Sequence, residues 1–210
     1  MLILKKWSIF LVSLLVILTI TLAGCSDSPE ETPPETAPEE EPTDEAEAVE
    51  TETTEDGMQR FESVDLGFAI SYPEDWIYEV DGHIVIFSGQ EGTEAYDTTL
   101  NLQTLQWGIA YESFHDFYED YKGQVEGAGG RISDLAQEDY VQDGENFDGA
   151  GFVAEYTQDG TVFRQFIVAV DRGDGYFHQL SYTAPEHLYE KYEDTAIQIM
   201  DTLNLLGLDS

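Results

Sequence analysis

Three kinds of residue are scarce in this chain. Its 210 residues include one cysteine, eight lysines and arginines, and four histidines. A single thiol excludes a disulfide within the chain, so any folded region must be held by its core alone. Eight bases against 44 acids leave a formal net charge of −36. Nucleic acid needs a basic footprint for its phosphates, and this balance excludes it as a partner. The same balance disfavours a domain lying flat on anionic lipid. No Gly-x-Ser-x-Gly elbow occurs. His83, His115, His178 and His187 show no i, i+4 pairing on one helix of the kind that holds zinc. Carboxylates are so abundant that no pair stands out as a general acid and base. The sequence therefore assigns no catalytic residue, no metal ligand and no cofactor. Acid excess also occurs in proteins of salty surroundings, where screening limits self-repulsion.

What is present is unevenly distributed. Lys5 and Lys6 precede an uncharged apolar run from Trp7 to Ala23, and Leu22-Ala23-Gly24-Cys25 follows directly. A short positive region, an apolar region and small residues at a cut site make a secretory leader over residues 1–24. The competing reading is an uncleaved anchor, because a bilayer is spanned by roughly 20 apolar residues. Both readings put the remainder outside the cytoplasm, since positive charge stays inside. The four residues ending at Cys25 resemble the lipobox of bacterial lipoproteins. That resemblance implies cleavage between Gly24 and Cys25, a diacylglyceryl group on Cys25, and attachment to the extracytoplasmic face of the cell membrane. More than one acyl chain anchors a protein stably where a single chain does not.

Cys25 to Gly57 reads as an acidic tether. Ser26–Gly57 contains 14 acids, five prolines and no base, with Val49 as its one branched aliphatic. Such a segment buries too little apolar surface to offset ordering entropy, and it repels itself. As an ideal coil it spans on the order of 30 Å. Residues 58–210 then suffice for one globular domain, with 30 acids and six bases.

Strand signals dominate the first half of that domain. Phe61–Val64, Gly67–Tyr72, Trp76–Val80, His83–Phe87 and Thr98–Leu105 are each apolar or alternating, and Asp81-Gly82 reads as a hairpin turn. Ser113 is a candidate N-cap for a helix carrying Phe114, Phe117, Tyr118, Tyr121 and Val125 on one face, ended by Gly127–Gly130. That aromatic stripe reads as core packing and not as a cofactor box. A weaker strand covers Ile132–Tyr140. Phe152–Thr157 and Thr161–Val170 flank a second turn, Asp159-Gly160, and Tyr176–Thr183 follows. Thr183-Ala184-Pro185-Glu186 reads as a capping box with proline in the first turn. Behind it Leu188, Tyr192, Thr195 or Ala196, Ile199 and Leu203 form an apolar face. Strands, helix, strands, helix with short hairpins predict an α+β fold, a curved, largely antiparallel sheet flanked by helices.

Two local patterns invite a functional reading and have a simpler one. Asp143–Gly149 is rich in oxygen ligands but lacks the spacing and terminal Glu of a calcium loop, so an acidic turn is expected. Arg172-Gly173-Asp174 spells an adhesion tripeptide, yet its place between two strands makes it a turn. His83 and His178 both fall in expected strands, from which they can meet.

Gly67-Phe68-Ala69-Ile70-Ser71-Tyr72-Pro73-Glu74-Asp75-Trp76 resembles the opening of PsbP-like domains, and Gln179–Ala184 with the Tyr-rich final helix is similar to their end. The resemblance covers residues 60–205 and implies an α/β/α sandwich with a binding or assembly role and no catalysis. The expected partners are the membrane, through the lipid on Cys25, and a protein of the cell envelope. An exported hydrolase with a cleft between sheet and helix, and a solute or cation binder, are the alternatives.

Overall fold

The computed structural model describes residues 57–142 and 144–207. The leader, Cys25 and the tether as far as Asp56 lie outside the described residues, as does Asp143. Two antiparallel sheets, two α-helices and a short 3-10 helix, Glu94–Asp97, make up the rest. The small sheet has the order β1-β2-β11, from Met58–Ser63, Phe68–Pro73 and Asn204–Leu205. The large sheet has the order β3-β4-β5-β10-β9-β8-β6, with β7 also on β8. Its strands are β3 (Trp76–Asp81), β4 (Ile84–Gly89), β5 (Thr99–Gln106), β6 (Arg131–Ile132), β7 (Ala136–Gln142), β8 (Glu145–Gln158), β9 (Thr161–Asp171) and β10 (Tyr176–Pro185). Helix α1 is Phe114–Gly127 and α2 is Glu186–Met200. The expected α+β architecture is what folds.

Strand alternation sends side chains to opposite faces, and each face finds its own cover. Val85 and Phe87 on β4, Leu100 and Leu102 on β5, and Leu180 and Tyr182 on β10 point one way. They pack with Phe61, Phe68, Ile70 and Tyr72 of the small sheet and Leu188, Tyr189 and Ile199 of α2. Phe152 and Ala154 on β8, Ile167 and Ala169 on β9, and Phe177 on β10 point the other way, against Phe117, Tyr118 and Val125 of α1. The stripe expected on α1 is therefore its packing face. Ser113 caps the helix as expected, its Oγ accepting from the Asp116 amide at 3.2 Å.

Several boundaries differ from expectation for physical reasons. Asp81 pairs with Ile84, so the first hairpin turns on Gly82-His83 and not Asp81-Gly82. Gly82 alone has positive φ there (59°), which suits a type II′ turn with glycine at its first loop position. At the second hairpin Asp159 (φ 49°) and Gly160 (φ 81°) are both left-handed, as a type I′ turn requires. The capping box does not form. Thr183 stays in the ladder between Thr99 and Gln165, and Pro185 pairs with Phe163 and stands at the N-cap without a side-chain bond. Helix α2 consequently begins at Glu186, and its buried face is Leu188, Tyr189, Ala196 and Ile199. The weak strand over 132–140 divides into β6 and β7. Residues 145–149 of the expected acidic turn lie inside β8, which pairs with β7 through Gln142 and Glu145.

Sequence-distant bonds close the small sheet. Thr202 Oγ1 accepts from the Ser71 amide at 2.8 Å, and the Leu206 amide donates to the Gly67 carbonyl at 2.9 Å. Tyr140 donates its hydroxyl to the Leu203 carbonyl, and Gln142 Oε1 accepts from the Leu205 amide at 2.6 Å.

Candidate functional site

A cleft opens where α1 begins, at the edge of its cover over the large sheet. Its volume is about 470 Å³, and it is lined by Trp107, Glu112, Ser113, Phe114, His115, Gln137, Asp148 and Asp171. That size lies in the range of small-ligand and side-chain sites.

The aromatic wall follows from the loop after β5. The Trp107 amide donates to the Gly175 carbonyl at 2.9 Å, and the Gly108 amide to the Tyr111 carbonyl at 2.8 Å, holding residues 107–111 as a tight excursion. Gly108 takes a left-handed φ of 74°, and Ile109 at the tip is 79% exposed. The indole of Trp107 stacks on Phe177 at 4.0 Å between centroids, and Phe114 meets it edge-on at 5.1 Å. Its Nε1–H is buried without an acceptor. Burying a donor unpaired costs about 1–3 kcal/mol. Behind the loop the Tyr111 hydroxyl donates to Asp120 at 3.2 Å; burial, with the Asp120 charge second, pushes its pKa up to about 12.

The acidic floor follows from strand register. Asp139 on β7 is the direct partner of Asp148 on β8. Gly149 pairs with Val170 on β9, which sets Asp148 beside Asp171 one step further along. Three aspartates thus stand on the α1 face of three neighbouring strands, and like charges directly opposite one another destabilise a sheet. The Gly173 amide donates to Asp171 at 2.7 Å. The six bases of the domain are engaged elsewhere. Arg60 pairs with Glu62, Arg131 with Glu155, Arg172 with Asp174 and Lys191 with Glu94, while Lys122 lies over Tyr118 and Arg164 over Tyr189.

The histidines do not assemble. His83 is exposed in the first hairpin turn, contrary to its expected strand position, and His187 is exposed at the start of α2. His115 lines the cleft in the first turn of α1, where Ser113 is occupied as the helix cap. His178 is fully buried, edge-on to Phe68 at 5.4 Å. Thr104 Oγ1 donates to the Leu66 carbonyl at 3.0 Å and lies 3.1 Å from His178 Nδ1. Its single proton being committed, Nδ1–H is the donor of that pair. Desolvation, helped by the charge of Arg172, lowers the His178 pKa to about 4, so the ring is neutral at pH 7. His83 and His178 therefore form no common site with a carboxylate.

Arg172 explains why the adhesion tripeptide is a turn. Its side chain is only 10% exposed, donates to the Leu206 carbonyl at 3.1 Å and pairs with Asp174 at 2.9 Å. A Cβ on Gly67 would fall 1.8 Å from its Nη1, and Gly67 itself has φ of 77°. The arginine is a clamp between the two sheets. No group of three or more His, Cys, Asp or Glu that would hold a metal occurs among the described residues.

No family model and no curated protein matches the sequence. Among solved structures, cyanobacterial PsbP (CyanoP) from Synechocystis superposes with a TM-score of 0.51 at 14% identity, covering 71% of this chain and 92% of that one. The fold is PsbP-like. Similarity is also found to LpqN of Mycobacterium tuberculosis, described as involved in cell envelope biogenesis (TM-score 0.49, 15% identity, 67% and 83% covered). The Ran-binding protein Mog1p of Saccharomyces cerevisiae is a third (TM-score 0.45, 8% identity, 71% and 95% covered). At 14% identity the likeness to CyanoP is one of fold alone. The opening Gly67–Trp76 supplies β2 and the start of β3 in that architecture, with Trp76 as a buried anchor. The cleft was hidden from sequence reasoning, because its walls come from five separate segments.

Proposed function

We propose that the chain is a lipid-anchored, extracytoplasmic lipoprotein whose PsbP-like domain binds a protein of the cell envelope without catalysing a reaction. Cleavage leaves Cys25 as the lipidated N-terminus, and residues 26–57 tether the domain to the membrane. The observation carrying the binding reading is the Trp107 cleft, an aromatic and acidic recess beside an exposed apolar loop tip. Buried aromatic anchors flanked by polar groups are what binding surfaces are built from. A hydrolase would need His83 or His178 beside a carboxylate in a recess, and the sealing of His178 opposes that arrangement. The cyanobacterial neighbour supports the reading only through shared architecture.

Two measurements test it. Intact-mass analysis of the mature protein should find the N-terminus at Cys25 with a diacylglyceryl adduct, and Cys25→Ser should release the domain from membranes; an unmodified Cys25 overturns the anchor. Cross-linking in native membranes followed by mass spectrometry should recover one defined protein reproducibly. Repeated recovery of none overturns the binding role.

A further inference from the structure

We infer that the Trp107 cleft receives an arginine side chain presented by a peptide segment of the protein partner. The inference rests on the binding reading above and goes on to name the chemistry that is recognised. A guanidinium is planar, pairs with carboxylates through two parallel bonds and stacks on aromatic rings. The cleft offers both partners together, Trp107 and Phe114 on one side and Glu112, Asp148 and Asp171 on the other. Asp139, opposite Asp148, extends the acidic row.

The row has no counter-charge of its own, since every base of the domain is paired or stacked elsewhere. An arriving cation removes like-charge repulsion already present in the fold, so the free domain is pre-set for it. Two features favour a peptide over a small free cation. Ile109, 79% exposed beside the cleft, offers apolar contact to a residue neighbouring the arginine. The 470 Å³ volume exceeds what one guanidinium fills. Phosphate-bearing ligands, whether lipid headgroups or nucleic acid, are repelled by the same carboxylates.

The decisive experiment uses the full-length protein in detergent, titrated with a fluorescein-labelled Gly-Arg-Ile-Gly peptide. Salt is held at about 150 mM, where the Debye length is about 8 Å and diffuse attraction to the acidic surface is screened. Wild type should bind, and the double variant Asp139→Asn/Asp148→Asn should bind at least tenfold more weakly. A charge-matched control, Glu190→Gln/Asp194→Asn on the exposed side of α2, should stay within twofold of wild type. Equal weakening in both variants, or no binding by wild type, overturns the inference. So does binding of free arginine amide as tight as that of the peptide. Partner recovery from membranes that survives Asp139→Asn/Asp148→Asn would remove this cleft and leave the binding role standing. Failure to recover any partner, with peptide binding intact, would strike the binding role instead.

Discussion

The large sheet is finished differently on its two faces. Beneath α2, Phe61 and Tyr72 each lie 5.1–6.0 Å from Tyr78 and Phe87, which are themselves 6.3 Å apart, roofed by a second sheet as well as a helix. Beneath α1 a helix alone provides the cover. Phe117 meets Phe152 at 5.7 Å and Phe177 at 5.9 Å, but beyond the first turn of α1 the cover stops and the acidic cleft begins. A sheet pinned by a second sheet tolerates no gap, whereas a lone helix leaves its ends open. The open end is where the acidic cleft lies.

The largest expected effect sharpens this contrast directly. Phe87→Ala should lower unfolding free energy by about 3–5 kcal/mol, the range for large-to-small changes in a sealed core. Phe117→Ala should cost less, because water and neighbouring side chains can enter from the cleft. Urea unfolding of both variants is the measurement, and equal losses would break the comparison.

Next in size is the pH response of the sealed face. With a folded pKa of about 4 against an ordinary 6.5, His178 takes up a proton more readily in the unfolded chain. Its contribution is therefore fully present above about pH 6.5 and is lost as pH falls toward 4, by ~3 kcal/mol in all. His178→Gln should flatten the stability curve between about pH 6.5 and 5, ahead of the carboxylate titrations. An unchanged slope would place the histidine in water.

Two smaller effects concern the α1 face. Ser113→Ala should cost about 1 kcal/mol by removing the bond to the Asp116 amide, as is usual for a lost N-cap. Thermal denaturation reads this out. Asp148→Asn should do the opposite, stabilising the domain by roughly 0.2–1 kcal/mol through relief of repulsion from Asp139. A loss of stability in that variant would mean that the aspartate row has a compensating contact.

Much of this architecture could be read in the chain itself. Asp159-Gly160 declared its hairpin, Ser113 its helix, and the Phe117-Tyr118-Val125 spacing its buried face. The errors arose where tertiary pairing overrode a local signal. Thr183-Ala184-Pro185-Glu186 has the letters of a cap, but β5 and β9 hold Thr183 in the sheet. β11 was illegible, since two residues carry no periodicity. The cleft was illegible for another reason. In a chain with 44 acids, Asp139, Asp148 and Asp171 are indistinguishable from the rest until register aligns them.

One feature of the small sheet bears on how the domain is made. Its first two strands open the domain, and its third, Asn204–Leu205, follows every strand of the large sheet. Until Thr202 and Leu206 are in place, the Ser71 amide and the Gly67 carbonyl lack the bonds they make to them, and Arg172 has no Leu206 carbonyl to clamp. The small sheet would thus stay unlatched until every strand of the large sheet had been laid down.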